Sequence, residues 1–207
     1  MNNTPQDSLG PQGNTGDILN WPMLKIVYRT DPDKIAALLP PGIEPGANPN
    51  VNLTIYNFPV PDVPEYGIVT SVDADYNGIA GEYTLGYGID QESAILISQR
   101  TNGQPKYPCK TTFYRMLNQV TARCSHQGYT FVEFRGESSG RHAPQEEFEQ
   151  NEWWIKVSPA VSVGGPVTGY DFPPHVVHVR SRYGTAHREE VSGELILRES
   201  PWDPLAL

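Results

Sequence analysis

The apolar residues of this chain fall into short runs that glycine and proline interrupt. The 207 residues include 20 prolines and 19 glycines, and no apolar run approaches the ~20 residues of a membrane-spanning helix. Short runs rich in β-branched and aromatic residues, bounded by turn residues, are typical of strands. We therefore expect strands at residues 24–29, 51–58, 68–72, 81–88, 94–97, 130–134, 153–157, 176–182 and 193–197. Residues 113–124 are compatible with a helix or a strand.

Helices are expected to be few and short. Residues 33–39 form one candidate, because Asp31 is a good N-cap, Pro32 suits the first helical position, and a Pro-Pro-Gly sequence follows at 40–42. Strands that follow one another with few helices favour an antiparallel sheet or barrel over a parallel α/β fold. The predicted class is α+β, mostly antiparallel β.

Composition divides the chain into an N-terminal arm and one domain. Residues 1–20 are mostly polar, with little to bury, and predict a flexible arm. No break in composition divides residues 21–207, which we interpret as a single domain. The chain ends on an apolar stretch at 202–207, so the sequence leaves open whether a closing element is missing.

The charge and the histidine and cysteine spacing exclude several classes of function. The net charge is −9, and the 15 basic residues form no stripe, so we expect no nucleic-acid partner. A signal peptide and a membrane span are not apparent, which predicts a soluble cytoplasmic protein without a membrane partner. The two cysteines have no zinc-site spacing, and His175 and His178 would point to opposite faces of a strand. We therefore predict no metal site.

One lysine stands between two prolines in the stretch GQPKYPCK, residues 103–110. Gly, Gln and Pro mark a turn, and a lysine in a turn is most often a solvated charge. Glu82, in the strand candidate at 81–88, has two local interpretations. It points into a cavity if the sheet closes, or it pairs with a residue on a neighbouring strand.

Several fragments of the chain, taken in order, carry a family resemblance. They are residues 26–31 (IVYRTD), 39–45 (LPPGIEP), 77–78 (NG), 81–83 (GEY), 90–95 (DQESAI), 103–106 (GQPK), 154–159 (WIKVSP), 193–195 (GEL) and 203–205 (DPL). In sequence and spacing they resemble the acetoacetate decarboxylase-like superfamily, and the similarity covers nearly everything after residue 20.

The resemblance implies a cone-like β-barrel that holds the active site, in a homo-oligomer that needs no cofactor. It also implies that Lys106 forms a Schiff base with a small oxo acid. A neutral amine must attack the ketone, whereas an ordinary lysine is protonated near pH 7. Burial or a second cation would free the amine, and acetoacetate decarboxylase is the established example of a lysine activated in this way.

The other candidate residues follow from the same resemblance. Glu82 and Glu65 are the acid/base candidates, and Tyr107, Tyr83, Trp21 and Arg100 are the candidates for substrate binding. The chain departs from the decarboxylases at three of these positions. Arg100 ends a Ser-Gln-Arg sequence that replaces their Gly-Arg-Glu. Tyr107 replaces a second lysine that directly follows the catalytic one, and Trp21 replaces an arginine. Any lowering of the Lys106 pKa would therefore have to come from burial.

Three functions remain open at this point. Decarboxylation of a 3-oxo acid such as acetoacetate is the first, and an aldolase-dehydratase reaction on a pyruvate-like ketone is the second. Both begin with the same iminium. The third is a non-enzymatic barrel that binds a small ligand.

Overall fold

The structure, a computed structural model, describes residues 18, 21–59, 64–161, 164–166, 168–185 and 187–199. The helices are α1 (Pro32–Leu38) and α2 (Glu92–Asn102). The strands are β1 (Met23–Arg29), β2 (Glu44–Pro45), β3 (Asn50–Phe58), β4 (Glu65–Tyr76), β5 (Ile79–Ile89), β6 (Lys106–Pro108), β7 (Lys110–Met116), β8 (Gln119–His126), β9 (Tyr129–His142), β10 (Glu147–Pro159), β11 (Tyr170–Gly184) and β12 (Glu189–Leu197).

Two sheets make up the described part of the chain. The larger one has the strand order β1-β3-β4-β5-β10-β11, with β2 beside β4 and β6 beside β5, and the smaller one has the order β12-β9-β8-β7. All pairs are antiparallel except β5 with β10 and β5 with β6. The larger sheet is curved, so that its first strand approaches its last two. Lys25 Nζ on β1 lies 4.9 Å from the ring of Phe148 on β10 and 5.1 Å from that of Tyr183 on β11.

The main hydrophobic core lies between the two sheets. Ile55, Ile68 and Val72 contribute to it from the larger sheet, and Ala122 and Cys124 from the smaller one, all with 0 % exposure. Removing such surface from water contributes about 25 cal/mol per Å² of apolar area. This face of the larger sheet packs against the smaller sheet. The other face carries a smaller apolar cluster around Tyr56, Ile89 and Ile95 of α2, next to the polar groups described below.

The predicted class is confirmed, with a correction at residues 94–97. This run was expected to be a strand, but it lies in α2, where only Ile95 is buried and Leu96 and Ile97 are 46 % and 62 % exposed. Four apolar residues do not distinguish a strand from a helix, and Gly103, a left-handed C-cap, ends the helix. Residues 113–124, left open from sequence, belong to the hairpin of β7 and β8.

The helix expected at 33–39 is found one residue earlier, as α1. Asp31 caps it as expected, since its side chain accepts a hydrogen bond from the Asp33 N–H at 2.9 Å. The predicted N-terminal arm lies outside the described residues except for Ile18, as does the apolar end at 202–207. The division into an arm and one domain stays a prediction. Among the helices described, none is long and apolar enough to cross a membrane.

Candidate active site

The C-terminal end of α2 packs closely against β10. Gly103 has φ = +64°, and a Cβ at this position would lie 2.4 Å from Lys156 Cγ, so both the backbone conformation and the available space require glycine. Lys156 Nζ donates to the Thr101 carbonyl oxygen at 2.7 Å, and Trp154 Nε1 donates to that of Asn102 at 2.9 Å. These contacts hold the C-terminal end of α2, and with it the start of the following turn, in place on β10.

This turn delivers Lys106 to the larger sheet as the first residue of β6. The Tyr87 N–H donates to the Pro105 carbonyl oxygen at 2.9 Å, and Lys106 is the parallel-strand partner of Tyr87. Gln99 Nε2 donates to the Lys106 carbonyl oxygen at 2.5 Å. Proline has no N–H to donate and a fixed φ, which suits a strand that begins directly after a turn.

The Lys106 side chain faces a carboxylate. Its Nζ lies 3.8 Å from Glu65 Oε2, and the two side chains are only 12 % and 10 % exposed. Tyr56 Oη donates to the other oxygen, Glu65 Oε1, at 2.8 Å. The tyrosine thus orients the carboxylate and leaves Oε2 for the amine.

Burial decides the electrostatics of this group. It lowers the pKa of Lys106 because the ammonium form loses its hydration, and the negative charge of Glu65 opposes part of that effect. Burial also raises the pKa of Tyr56, and Glu65 adds to the increase. Tyr56 therefore keeps its proton and remains a donor, while Lys106 reaches its neutral form more easily than a solvated lysine.

Trp21 lies beside this group. Its ring centroid is 5.6 Å from that of Tyr56 and 4.9 Å from that of Phe58, both edge-on, and 6.5 Å from that of Tyr183. The indole N–H is buried and has no acceptor among the residues described. It is a free donor next to the tyrosine that holds Glu65.

A second carboxylate, that of half-buried Glu152 on β10, accepts hydrogen bonds from two residues of β5. Thr84 Oγ1 donates to Glu152 Oε1 at 2.5 Å, and Tyr87 Oη donates to the same oxygen. Thr84 and Tyr87 are an odd number of positions apart, and both reach Glu152 because β5 has one extra residue in the bulge between Thr84 and Gly86. Burial, followed by Glu152, raises the pKa of Tyr87, which keeps that hydroxyl a donor.

Glu82 occupies a different part of the same face. It accepts a hydrogen bond from Ser71 Oγ, and burial raises its pKa while Ser71 and Lys25 oppose the increase. Five positions of β5 separate it from Tyr87, the partner of Lys106, which corresponds to roughly 16 Å along the strand. Glu82 and Lys25 line a cavity of about 520 Å³ at that end, and the lining residues described do not include Lys106.

Three other residues singled out from sequence lie elsewhere. Tyr107 follows Lys106 in β6, so its side chain points to the opposite face, where it is 7 % exposed and belongs to the core between the sheets. Tyr83 also packs against that core. Arg100 is exposed in the last turn of α2. The structure thus groups Lys106 with Glu65 and Trp21, and it adds Tyr56, Tyr87 and Glu152, which sequence reasoning missed.

Known proteins share this sequence pattern and this fold. Acetoacetate decarboxylases of Paraburkholderia phytofirmans and Paraburkholderia xenovorans are both 37 % identical to this chain over 93 residues, which is 42 % of this chain and 35 % of theirs. The match thus spans about a third of the length of these curated relatives.

Two solved structures illustrate the shared fold. The acetoacetate decarboxylase of Legionella pneumophila superposes with a TM-score of 0.67 at 19 % identity, over 89 % of this chain and 74 % of that one. The enduracididine biosynthesis enzyme MppR, complexed with the condensation product of pyruvate and imidazole 4-carboxaldehyde, gives 0.66 at 17 % identity, over 88 % and 76 %. The sequence model of the acetoacetate decarboxylase family matches residues 1–207, and the chain therefore belongs to that family.

Proposed function

We propose that the protein is a carbon-carbon lyase that decarboxylates a small 3-oxo acid through a Schiff base on Lys106. The observation that carries this proposal is the enclosed contact between Lys106 Nζ and Glu65 Oε2, 3.8 Å apart, in a setting where burial lowers the pKa of the amine. An assembly of several copies stays a prediction.

The reaction starts from the neutral amine of Lys106. Transfer of a proton from the ammonium to Glu65 frees the nitrogen lone pair, which attacks the ketone carbon of the substrate. Loss of water from the carbinolamine gives a protonated imine. The bond to the carboxylate then breaks, its electron pair moves into the imine to form an enamine, and carbon dioxide leaves. Protonation of the enamine carbon and hydrolysis of the imine release the ketone and regenerate Lys106.

The neighbouring groups have distinct roles in this proposal. Glu65 holds the proton that Lys106 gives up and returns it during dehydration and hydrolysis, and Tyr56 keeps its Oε2 directed at the nitrogen. The Trp21 N–H, free among the described residues, is our candidate donor to the substrate carboxylate. Glu82 has no role in this proposal, because the carboxylate paired with Lys106 Nζ is that of Glu65, at 3.8 Å, and Glu82 lies five positions along β5 from Tyr87, the strand partner of Lys106.

A second candidate function uses the same imine. With pyruvate, loss of a methyl proton instead of carbon dioxide would give an enamine that attacks an aldehyde. The observation that favours this second reaction is the structural similarity to MppR, whose structure contains such a condensation product. Lys106 and Glu65 could serve both reactions, which share every step up to the imine.

The experiment that tests the proposal is reductive trapping. Purified protein is incubated with acetoacetate or with pyruvate, reduced with borohydride, and examined by intact and peptide mass spectrometry. Lys106→Ala removes the nucleophile, and Lys110→Ala is the matched control because Lys110 is exposed on the next strand. We expect an adduct on Lys106 in the wild type and in Lys110→Ala, and none in Lys106→Ala.

The outcomes separate the candidate functions. An adduct with acetoacetate together with released carbon dioxide supports decarboxylation, and an adduct with pyruvate that yields a product only when an aldehyde is added supports condensation. Folded protein that gives no adduct with either acid, and whose affinity for these acids is the same after Lys106→Ala, would favour the non-enzymatic barrel.

A further inference from the structure

Two histidines and a glutamate meet at the edge of the smaller sheet, away from Lys106. His142 is the last residue of β9, Glu189 is the first residue of β12, and the two are direct antiparallel partners. His187 stands two residues before Glu189. The nitrogen and oxygen atoms that these residues can offer to a metal all lie within 4.8 Å of one another.

The backbone explains why these side chains converge. Directly opposed residues of antiparallel strands have Cβ atoms about 5 Å apart, and residues two apart in an extended chain point to the same side. His187 Nε2 accordingly lies 2.6 Å from Glu189 Oε1, and the rings of His142 and His187 are 4.6 Å apart, edge to face. Sequence spacing predicted no metal site because His142 lies far from the other two residues along the chain.

Two residues other than the histidines fix the orientation of the Glu189 carboxylate. Ser138 Oγ donates to Oε2, and Arg115 Nη1 lies 2.9 Å from Oε2 and 3.0 Å from Oε1. Arg115 is itself fixed, because its Nε donates to the Leu117 carbonyl oxygen at 2.6 Å. Metal-ligating carboxylates are characteristically oriented by such outer hydrogen bonds. The Glu189 side chain is only 9 % exposed, whereas the two histidines lie at the surface.

We propose that His142, His187 and Glu189 bind a divalent transition-metal ion, with Zn²⁺ as the preferred occupant, and that water completes the tetrahedron. Two imidazoles and one carboxylate form a donor set that suits zinc and disfavours magnesium and calcium. Ligand distances of about 2.0–2.1 Å in a tetrahedron place the ligand atoms roughly 3.3 Å apart. The widest pair, at most 4.8 Å apart here, has to close by no more than about 1.5 Å, which rotation of the exposed histidines supplies.

The bound ion would act on stability and not on the chemistry at Lys106. It joins the end of β9 to the start of β12, while Arg115 links the same carboxylate to β7, so three of the four strands of the smaller sheet are fastened at one corner. Arg115 also limits the affinity for Zn²⁺. Its positive charge repels a dication, so we expect weaker binding than at structural zinc sites with four protein ligands.

The test uses the full chain after treatment with EDTA and dialysis. Isothermal titration with ZnCl₂ is expected to give saturable binding of one ion per chain, and the thermal midpoint is expected to rise with Zn²⁺ and not with Mg²⁺. Co²⁺ in place of Zn²⁺ should give the intense visible absorption of a tetrahedral complex. His142→Ala and His187→Ala should each lose at least tenfold in affinity, whereas His175→Ala, which removes an exposed histidine from β11, should bind like the wild type.

Zinc affinity that is equal in the wild type, His142→Ala and His187→Ala would overturn the proposal, as would the absence of saturable binding in folded protein. Because both histidines are exposed, these variants should fold, and their far-ultraviolet circular dichroism verifies it. The borohydride adduct on Lys106 should form equally in the metal-stripped protein, so failure of the zinc site and failure of the lyase proposal are distinguishable.

Discussion

Glu65→Gln should make Lys106 more reactive toward a simple reagent and at the same time slow its turnover. The amide keeps the size of the side chain and an oxygen for Tyr56, but it removes the negative charge 3.8 Å from Nζ. That charge is the influence that opposes the effect of burial on the pKa of Lys106. Without it, the pKa falls further, and a larger fraction of the amine is neutral at pH 7.

The distance gives the size of the effect. Two unit charges 3.8 Å apart attract by about 1 kcal/mol in water and by about 4 kcal/mol at an effective dielectric constant of about 20. Since 1.4 kcal/mol corresponds to a factor of ten, the neutral fraction at a pH below the pKa should rise by about fivefold to about a thousandfold. Turnover should instead fall by roughly 10²–10⁴, because the variant lacks the carboxylate to which we assign proton exchange with the substrate.

The assay is competitive labelling with a trace of acetic anhydride at several pH values, followed by peptide mass spectrometry. Exposed Lys110 in the same chain is the internal reference. Glu82→Gln is the matched control, because it removes a carboxylate farther along β5 and should leave the labelling of Lys106 unchanged. Labelling of Lys106 that is no faster in Glu65→Gln, or that is accelerated as much by Glu82→Gln, would refute the proposed pairing. In the wild type, activity should fall as the pH drops through the pKa of Lys106, and in Glu65→Gln any residual activity should persist to lower pH.

Three further predictions concern the groups around Lys106. Tyr56→Phe removes a buried donor to a charged acceptor, so the free energy of unfolding measured in urea should drop by about 1.5–3 kcal/mol, and an unchanged value would contradict the role given to this hydroxyl. Gly103→Ala places an alanine at a positive φ and its Cβ against Lys156, so the thermal midpoint of unfolding should fall. It should fall more than for Gly128→Ala, because Gly128 also has a positive φ, +83°, but no atom within 4 Å of an added Cβ. Equal losses in the two variants would exclude the steric effect. Tyr87, the strand partner of Lys106, donates to Glu152, and Tyr87→Phe removes this hydrogen bond and should lower kcat by up to ~100-fold. Tyr83→Phe should leave kcat unchanged, because Tyr83 packs against the core between the sheets. The reverse result would place Tyr83 in the site.

The sequence was informative where a single short segment carries the signal. Asp31 and Pro32 mark the start of α1, and most strand candidates overlap an observed strand. The run at 94–97 misled, because its length suits a buried strand and a helix turn alike, and only the packing of Ile95 under the exposed Leu96 and Ile97 distinguishes them.

Which of the two carboxylates, Glu65 or Glu82, lies beside Lys106 depends on strand register, which no local pattern specifies. Gly67 pairs with Ile89, and Tyr87 pairs with Lys106, so the start of β4 and the start of β6 come to the same end of the larger sheet. Tyr56 was missed for the same reason. Its ring fits over Gly67, where a Cβ would lie 2.6 Å from Tyr56 Cζ, and this brings its hydroxyl to Glu65. A glycine in the strand, two residues after a carboxylate, is the signal that was available.

The replacement of the second lysine by Tyr107 should change the pKa of Lys106 little, because residues 106 and 107 point to opposite faces of the larger sheet. Consecutive residues of a strand point to opposite faces, and the Tyr107 side chain lies in the core between the sheets while Lys106 faces Glu65. A lysine at position 107 would therefore have to bury its ammonium in that core, and it would still not flank the Lys106 nitrogen. Burial is the main cause that lowers the pKa of Lys106 in this chain, and burial depends on the turn at Gly103 and on β5. On this reasoning, Tyr107→Lys should destabilise the fold without making Lys106 more reactive.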